Sequence, residues 1–334
     1  MKRMMALIAA IVAFLGFDLA IAPAQNNQQE AAKPKVVRVG ILQMITHPAL
    51  NLIHQGVIDG LKEGGYTQGK NLKVEFLNAQ GDQSNLKTMS QQLANKNEML
   101  VGIATPAAQS LANSAKKDTP IILAGISDPA TSGLVESEQH PGANITGSSG
   151  DNPVNEQLAL MRQILPHAKK IGIIYTSSDH GGQSSARQFY KVVKKAGLTP
   201  KMYTIANTND LQQVASQMVT QVDAVYAAND NNVASAMKTL SDVANKANIP
   251  VFPCAETMIA DGGVASYAIS QREMGRVAGK MAAKILQGKN PATYPVSKIK
   301  RGHYIINEKE VRKLGLTVPH KIMAQAKAKG RIIK

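Results

Sequence analysis

Apolar residues along this chain follow two alternating rhythms. Short unbroken runs, such as Val36 to Met44 (VVRVGILQM), have the length and β-branched content of buried strands. Longer stretches repeat their apolar positions every three or four residues. In Pro48 to Glu63, Leu52, Val57, Ile58 and Leu61 fall on one side of a predicted helix, and Gly64-Gly65 stops it. The same rhythm predicts strands at Leu72 to Asn78, Met99 to Ala104 and Pro120 to Ala124. Between them lie helices at Leu86 to Ala94 and from Thr105-Pro106 through Ala115. The order βαβαβαβ implies a parallel sheet covered on both faces.

The order then restarts. Helices are predicted at Pro153 to Leu165, Ser184 to Ala196, Asp210 to Val219 and from after Ala227 through Ala247. Strands are predicted at Lys170 to Tyr175, Pro200 to Ile205, Ala224 to Ala227, Pro250 to Pro253 and Val264 to Ala268. This is a second α/β unit of similar plan, a repeat of architecture without detectable repetition of sequence. A strong amphipathic helix follows at Gln271 to Gln287, with Met274, Val277, Met281, Ala282 and Ile285 on one face. Tyr304-Ile305-Ile306 reads as one more strand, and the Ala/Lys-rich end, Lys321 to Lys334, as a frayed helix.

The chain's beginning changes the picture of where it works. Lys2 and Arg3 precede an apolar run from Met4 to about Leu15, and Ala22 and Ala24 supply small residues for cleavage. A transmembrane anchor needs roughly 20 apolar residues, so a secretory signal peptide over 1–24 is the expectation. No cysteine follows the run, which excludes a lipid-modified N-terminus and points to a protein free in a periplasm. Residues 25–35 are polar and unpatterned, a disordered leader.

The formal charge is +15, from 38 Lys and Arg against 23 Asp and Glu. Those cations are spread over the helices and the C-terminal end, without Trp and with few aromatics between them. That is a solvated basic surface, and no nucleic-acid partner is expected. One cysteine, Cys254, rules out an internal disulfide. It reads as a small buried hydrophobe at a strand end, and no Cys or His cluster suggests a metal.

Eight stretches, in this order and spacing, resemble a known family. They are Gln43–Pro48 (QMITHP), Asn78–Gln83 (NAQGDQ), Ala104–Gln109 (ATPAAQ), Ser127-Asp128-Pro129, Pro141–Gly147 (PGANITG), Ile164–Ile174 (ILPHAKKIGII), Asn229–Asn231 (NDN) and Met281–Gly288 (MAAKILQG). Together they resemble the periplasmic solute-binding proteins of ABC transporters of the tryptophan/tyrosine-binding type, over nearly the whole chain after residue 35. The resemblance implies a type I periplasmic-binding-protein fold: two Rossmann-like lobes, three crossover strands and a ligand cleft between them. It also implies that the chain passes between lobes more than once. The first lobe is then expected over 36–147 plus 270–295. The second is expected over 148–269 plus 296–322, with a basic tail at 323–334.

Ligands of open α/β sheets sit beyond the carboxyl ends of strands, and four of the matched stretches lie there. Thr105 reads as an N-cap with Pro106 at the first helical position. The backbone N–H groups of Ala107 and Ala108 would then face a ligand carboxylate at the positive helix end, unless the cap binds nothing. Asp128 and Asp230 are the carboxylates placed to receive an ammonium group, which needs a paired anion in a closed cleft. Equally, Asp128 reads as a turn residue beside Ser127, and Asp230, beside Asn231, as a helix cap. His47 and Pro48 open a helix, where His47 is either a ligand contact or an exposed cap-region ring. Gln43 could add an amide. Tyr175, Tyr226 and Tyr267 end strands and are either aromatic walls or core. Glu256 is a weaker polar candidate.

No nucleophile elbow, P-loop, HExxH or dinucleotide fingerprint is present, and Gly181-Gly182 reads as a plain loop, so no enzyme and no cofactor is expected. The expected function is capture of a small zwitterion, an aromatic or large apolar amino acid. A monomer would deliver it to an ABC permease with its ATPase subunits. The alternatives are a sensor feeding a signalling receptor, or an enzyme on the same scaffold.

Overall fold

The computed structural model describes residues 36–150 and 152–334; the predicted signal peptide and leader lie outside the described residues. The first half runs β1 (Val37–Gln43), α1 (Pro48–Glu63), β2 (Leu72–Asn78), α2 (Gln83–Lys96), β3 (Met99–Ile103), α3 (Thr105–Ser114), β4 (Ile121–Ile126) and β5 (Ile145–Gly150). Next come α4 (Val154–Ile164), β6 (Lys170–Thr176), α5 (His180–Lys195), β7 (Thr199–Ile205), α6 (Leu211–Met218), β8 (Ala224–Ala227), α7 (Asn231–Ser235), α8 (Met237–Lys246), β9 (Val251–Pro253) and β10 (Ala265–Ala268). The chain ends with α9 (Gln271–Leu286), β11 (Ser297–Ile299), β12 (His303–Asn307), α10 (Glu308–Lys313), α11 (His320–Ala328) and β13 (Ile332–Ile333).

Two parallel sheets carry this order. The first has six strands, β11-β5-β4-β3-β1-β2, and the second has four, β7-β6-β8-β9. A small third sheet joins β10 antiparallel to β12, and β12 parallel to β13. The central strands β1 and β3 are buried nearly throughout, as helices on both faces require, while β2 at the edge is mostly half-exposed. The chain leaves the first sheet after β5, returns through α9 and β11, and leaves again for β12.

The helix at 271–287 returns to the first sheet and packs along α1. Glycines make that contact. Gly56 and Gly60 on α1 face Gly275 and Gly279 on α9, each pair one helical turn apart. A Cβ on any of the four would collide with the backbone of the other helix. The core face of α1 is Leu50, Ile53, Val57 and Leu61; Leu52 and Ile58, expected on it, are only partly buried. At the rim, Arg272 bonds Asp59 at 2.7 Å and Arg276 bonds Glu63 at 2.9 Å.

Several sequence expectations shift. Strand β5 (ITGSSG) was not predicted because its buried residues are small and polar. Thr146 and Ser148 donate their hydroxyls to the carbonyls of Tyr294 and Met274, so polar side chains fill a core strand without orphaned groups. Both β5 and β11 belong to the first sheet, although the expected lobe limits placed 148–150 and 297–299 in the second. The C-terminal end is not a frayed helix. Helix α11 buries Ile322 and Ala326, and Ile332–Ile333 adds a strand to the third sheet. Gly181-Gly182 is not a loop but the first turn of α5, which Asp179 caps by accepting from both glycine N–H groups.

Candidate functional site

The connections that follow β1, β3 and β4 meet those that follow β6 and β8 around a narrow cavity. From the first sheet come His47 at the N-cap of α1, Ala104 and Thr105 after β3, and Gly125 and Ser127 after β4. From the second come Asp179 and Gly181 after β6, and Asn229, Asp230 and Asn231 after β8. Leu50, Ile53, Ala234 and Ala255 supply apolar surface, and Gln271 at the start of α9 completes the lining.

Among the described residues, side-chain hydrogen bonds cross the cleft. Asn229 Nδ2 donates to Ser127 Oγ at 3.0 Å, and Ser184 Oγ donates to Asp128 Oδ2 at 3.1 Å. His47 Nε2 lies 3.4 Å from Asn231 Oδ1. The cleft is closed in this structure.

The second wall is a dense polar network. Asp230 is buried and accepts from Thr176 N and Thr176 Oγ1, both at 2.7 Å, and from Val233 N at 3.0 Å. Asp179 Oδ1 caps α5, and its Oδ2 accepts from Asn231 Nδ2 at 2.6 Å. Burial, and then the nearby Asp179 carboxylate, push Asp230 up to about 7 despite its hydrogen bonds. The first wall is sparser. Burial lowers His47 to about 4, partly opposed by its bond to Asn231, so the ring is neutral at pH 7. Its Nδ1 is buried without a hydrogen-bond partner among the described residues.

The structure thus brings together His47, Thr105, Ser127, Asp230 and Asn231 from the sequence candidates. Thr105 is not the N-cap it was expected to be. Ala104 occupies that position at φ 73°, so Thr105 is the first helical residue. This left-handed turn in a non-glycine residue is a strained conformation, often found at binding sites. Ala107 and Ala108 are fully buried beneath, and Ala108 N–H already donates to Ala104 O.

Other candidates sit off the cavity lining. Asp128 is a turn residue at φ 53° whose Oδ1 accepts from Thr131 N, and it opens onto a neighbouring depression with Glu138 and Asn152. Gln43 is buried behind α1, donating to Ile45 O and Asn51 Oδ1. Pro48 starts α1 and serves to shape the turn after His47. Glu256 stands behind Gln271, whose N–H it accepts at 3.0 Å. No tyrosine lines the cavity. Tyr226 stacks on Phe189, Tyr267 packs edge-on against Tyr304, and Tyr175 packs on the second lobe's core. Their rings pack on the second lobe and not on the cavity.

Sequence reading missed Asp179, Asn229 and Gln271. For Asp179 a signal existed: an Asp just before a helix start is a cap pattern, which the reading of Gly181-Gly182 as a loop hid.

A family model described as "ABC transporter substrate binding protein" matches residues 38–329. The chain belongs to that family. A tyrosine-binding protein of Clostridioides difficile (strain R20291) is 31% identical over 323 residues, covering 94% of this chain and 93% of that one. An ABC domain from Streptococcus pneumonia, solved in complex with L-Trp, superposes with a TM-score of 0.86 at 39% identity, covering 90% of this chain and all of that one. The ligand-free, open structure of a substrate-binding protein with adhesive properties from Clostridium difficile gives 0.66 at 32% identity, over 85% of this chain and 97% of that one. The better match to the ligand-bound relative agrees with the hydrogen bonds that cross this cleft. The fold is that of the type I periplasmic binding proteins, and an ABC permease is the partner the family implies. Such substrate-binding proteins work outside the cytoplasm.

Proposed function

We propose that this protein captures an aromatic L-amino acid, tryptophan or tyrosine, in the periplasm and delivers it to an ABC importer without catalysing any reaction. The observation that carries this is the enclosed cavity with a helix N-terminus on one wall and two carboxylates on the other. The start of α3, with the Thr105 hydroxyl, suits the ligand carboxylate. Asp179 and Asp230 form the carboxylate pair that suits its ammonium, since a charged amine leaves water only for a paired anion, and its charge would draw the raised Asp230 back to the ionised form. Leu50 and Ile53 offer apolar surface to the side chain. The relatives named for tyrosine and solved with L-Trp support this ligand class.

Closure is the mechanism. A ligand touching both walls stabilises the closed arrangement, and its differential affinity for that state drives the shift. Export by a signal peptide over 1–24 and a monomeric state belong to the same reading.

Calorimetry tests it with L-tryptophan, L-tyrosine and L-leucine, alongside indole-3-propionate, which lacks the amine, and tryptamine, which lacks the carboxylate. The aromatic amino acids are expected to bind, and both truncated analogues to bind at least 100-fold more weakly, since one leaves the buried carboxylates unmatched and the other leaves the helix start and the Thr105 hydroxyl unmatched. Equal binding of indole-3-propionate would remove the carboxylate pair from the site. Failure of every L-amino acid would sink the ligand class.

A further inference from the structure

Asn231 sits between two groups that fix its orientation. Its Nδ2 donates to Asp179 Oδ2 at 2.6 Å, and the other Asp179 oxygen accepts from two glycine N–H groups, so the carboxyl stands there as an acceptor. The amide oxygen therefore faces His47, 3.4 Å from Nε2. An amide oxygen accepts and never donates, so the proton of the neutral imidazole resides on Nε2. Nδ1 is left as a bare acceptor. It is buried, it has no partner among the described residues, and its ring lines the cavity.

A buried acceptor with nothing to accept is costly, and the cost ends when a ligand brings a donor. An amino acid has two kinds to offer. Its ammonium is claimed by Asp179 and Asp230 on the opposite wall, where burial makes an anion's pairing most valuable. What remains is a donor on the side chain.

We infer that His47 is a specificity-determining residue whose Nδ1 accepts a hydrogen bond from the ligand side chain, an indole N–H or a phenol O–H. This inference rests on the amino-acid reading above and extends it: the site selects a donor-bearing aromatic side chain over phenylalanine. The selection does not come from size. A bare acceptor rejects a side chain that lacks the donor more strongly than an apolar pocket rejects a missing methylene.

The test is calorimetric titration of wild type and His47→Phe with L-tryptophan, 1-methyl-L-tryptophan, L-tyrosine and L-phenylalanine. In wild type, L-tryptophan is expected to bind at least tenfold more tightly than its N-methyl analogue, and L-tyrosine at least tenfold more tightly than L-phenylalanine. Methylation adds bulk and loss of the hydroxyl leaves a void, so a preference due to fit alone would survive in a variant that keeps an aromatic ring at position 47. In His47→Phe both ratios are expected to fall towards one. Ratios near one in wild type would overturn the inference, and this arm stands even if the variant does not fold. Ratios unchanged by the substitution would also overturn it. So would an equal loss for all four ligands, which would mean that Nδ1 meets the common ammonium. Binding of none of the four would overturn the amino-acid reading as well, which separates the two failures.

Discussion

The two walls of the cleft are held in place by different means. The first wall stands on backbone contact: α1, which carries His47 at its start, lies against α9 through Gly56, Gly60, Gly275 and Gly279. The second wall stands on polar atoms: Asp179 and Asp230 between them accept from Gly181, Gly182, Thr176, Val233 and Asn231. The difference sets what each wall can offer a ligand. The second wall is preorganised, because its carboxylates are fixed before any ligand arrives. The first wall keeps groups in reserve, with a bare imidazole nitrogen and a hydroxyl at a helix start. Rigid carboxylates stand on one side and adjustable partners on the other, so closing the cleft completes pairings that neither wall makes alone.

The largest effect should come from breaking the first wall's support. In Gly275→Ala the new Cβ would run into the Ile53 carbonyl, and neither helix can retreat without opening the core beneath. We expect a loss of about 3 kcal/mol, near the top of the usual range for overpacking, read as a lower midpoint in urea denaturation. A variant as stable as wild type would show that α1 and α9 are free to separate. The matching break in the second wall is Gly182→Ala. Its Cβ would lie 2.9 Å from Asp230 Cγ and 3.0 Å from Asp230 Cβ, and three donors hold that carboxylate where it is. A loss of about 2 kcal/mol is expected in the same assay, accompanied by weaker binding.

Thr105→Val sharpens the contrast, because it touches the ligand side of the first wall and not its support. The hydroxyl does not cap α3; that position belongs to Ala104. Stability should therefore hold, while affinity for the amino acid falls by about 1.5 kcal/mol, roughly tenfold, the usual worth of a hydrogen bond to a charged group. Calorimetry on the folded variant reads this directly, and unchanged affinity would place the ligand carboxylate elsewhere.

The alternating sheets were legible because fully apolar strands and periodic helices state their roles locally. Strand β1 and helix α9 emerge from spacing alone, within a few residues of their observed ends. Strand β5 did not, since its hydroxyls find partners on segments more than a hundred residues away, and no local pattern reports that. The site divides the same way. His47, Thr105, Ser127 and Asp230 line the cavity, where strand ends followed by helix starts place them. Asp179 and Gln271 line it too but were not singled out, because what brings them there is the opposing wall. The aromatic candidates lie off the lining for a related reason: a tyrosine at a strand end reads alike whether it faces a cavity or, like Tyr226 on Phe189, another ring in the core.

The smallest effect should be the most telling about closure. Gly181 lies one residue before the glycine that braces Asp230, yet its Cβ would meet a different neighbour: Thr105 Oγ1 at 2.9 Å, across the cleft. Its φ is not in the left-handed region, so alanine fits the helix start, and alanine there gains up to about 1 kcal/mol in helix propensity. Within the second lobe the nearest obstacle is Asp179 Oδ1 at 3.3 Å, tight but adjustable. The substitution is thus favourable or neutral for the lobe and unfavourable only for the closed state, where the Thr105 hydroxyl must turn aside. We expect Gly181→Ala to be at least as stable as wild type in the absence of ligand and to bind about threefold more weakly, some 0.7 kcal/mol. Denaturation and calorimetry on one preparation measure both. The opposite signs are the point: a variant that gains stability while losing affinity has been hindered at closure, whereas a parallel loss of both would mean that Gly181, like Gly182, braces the wall itself.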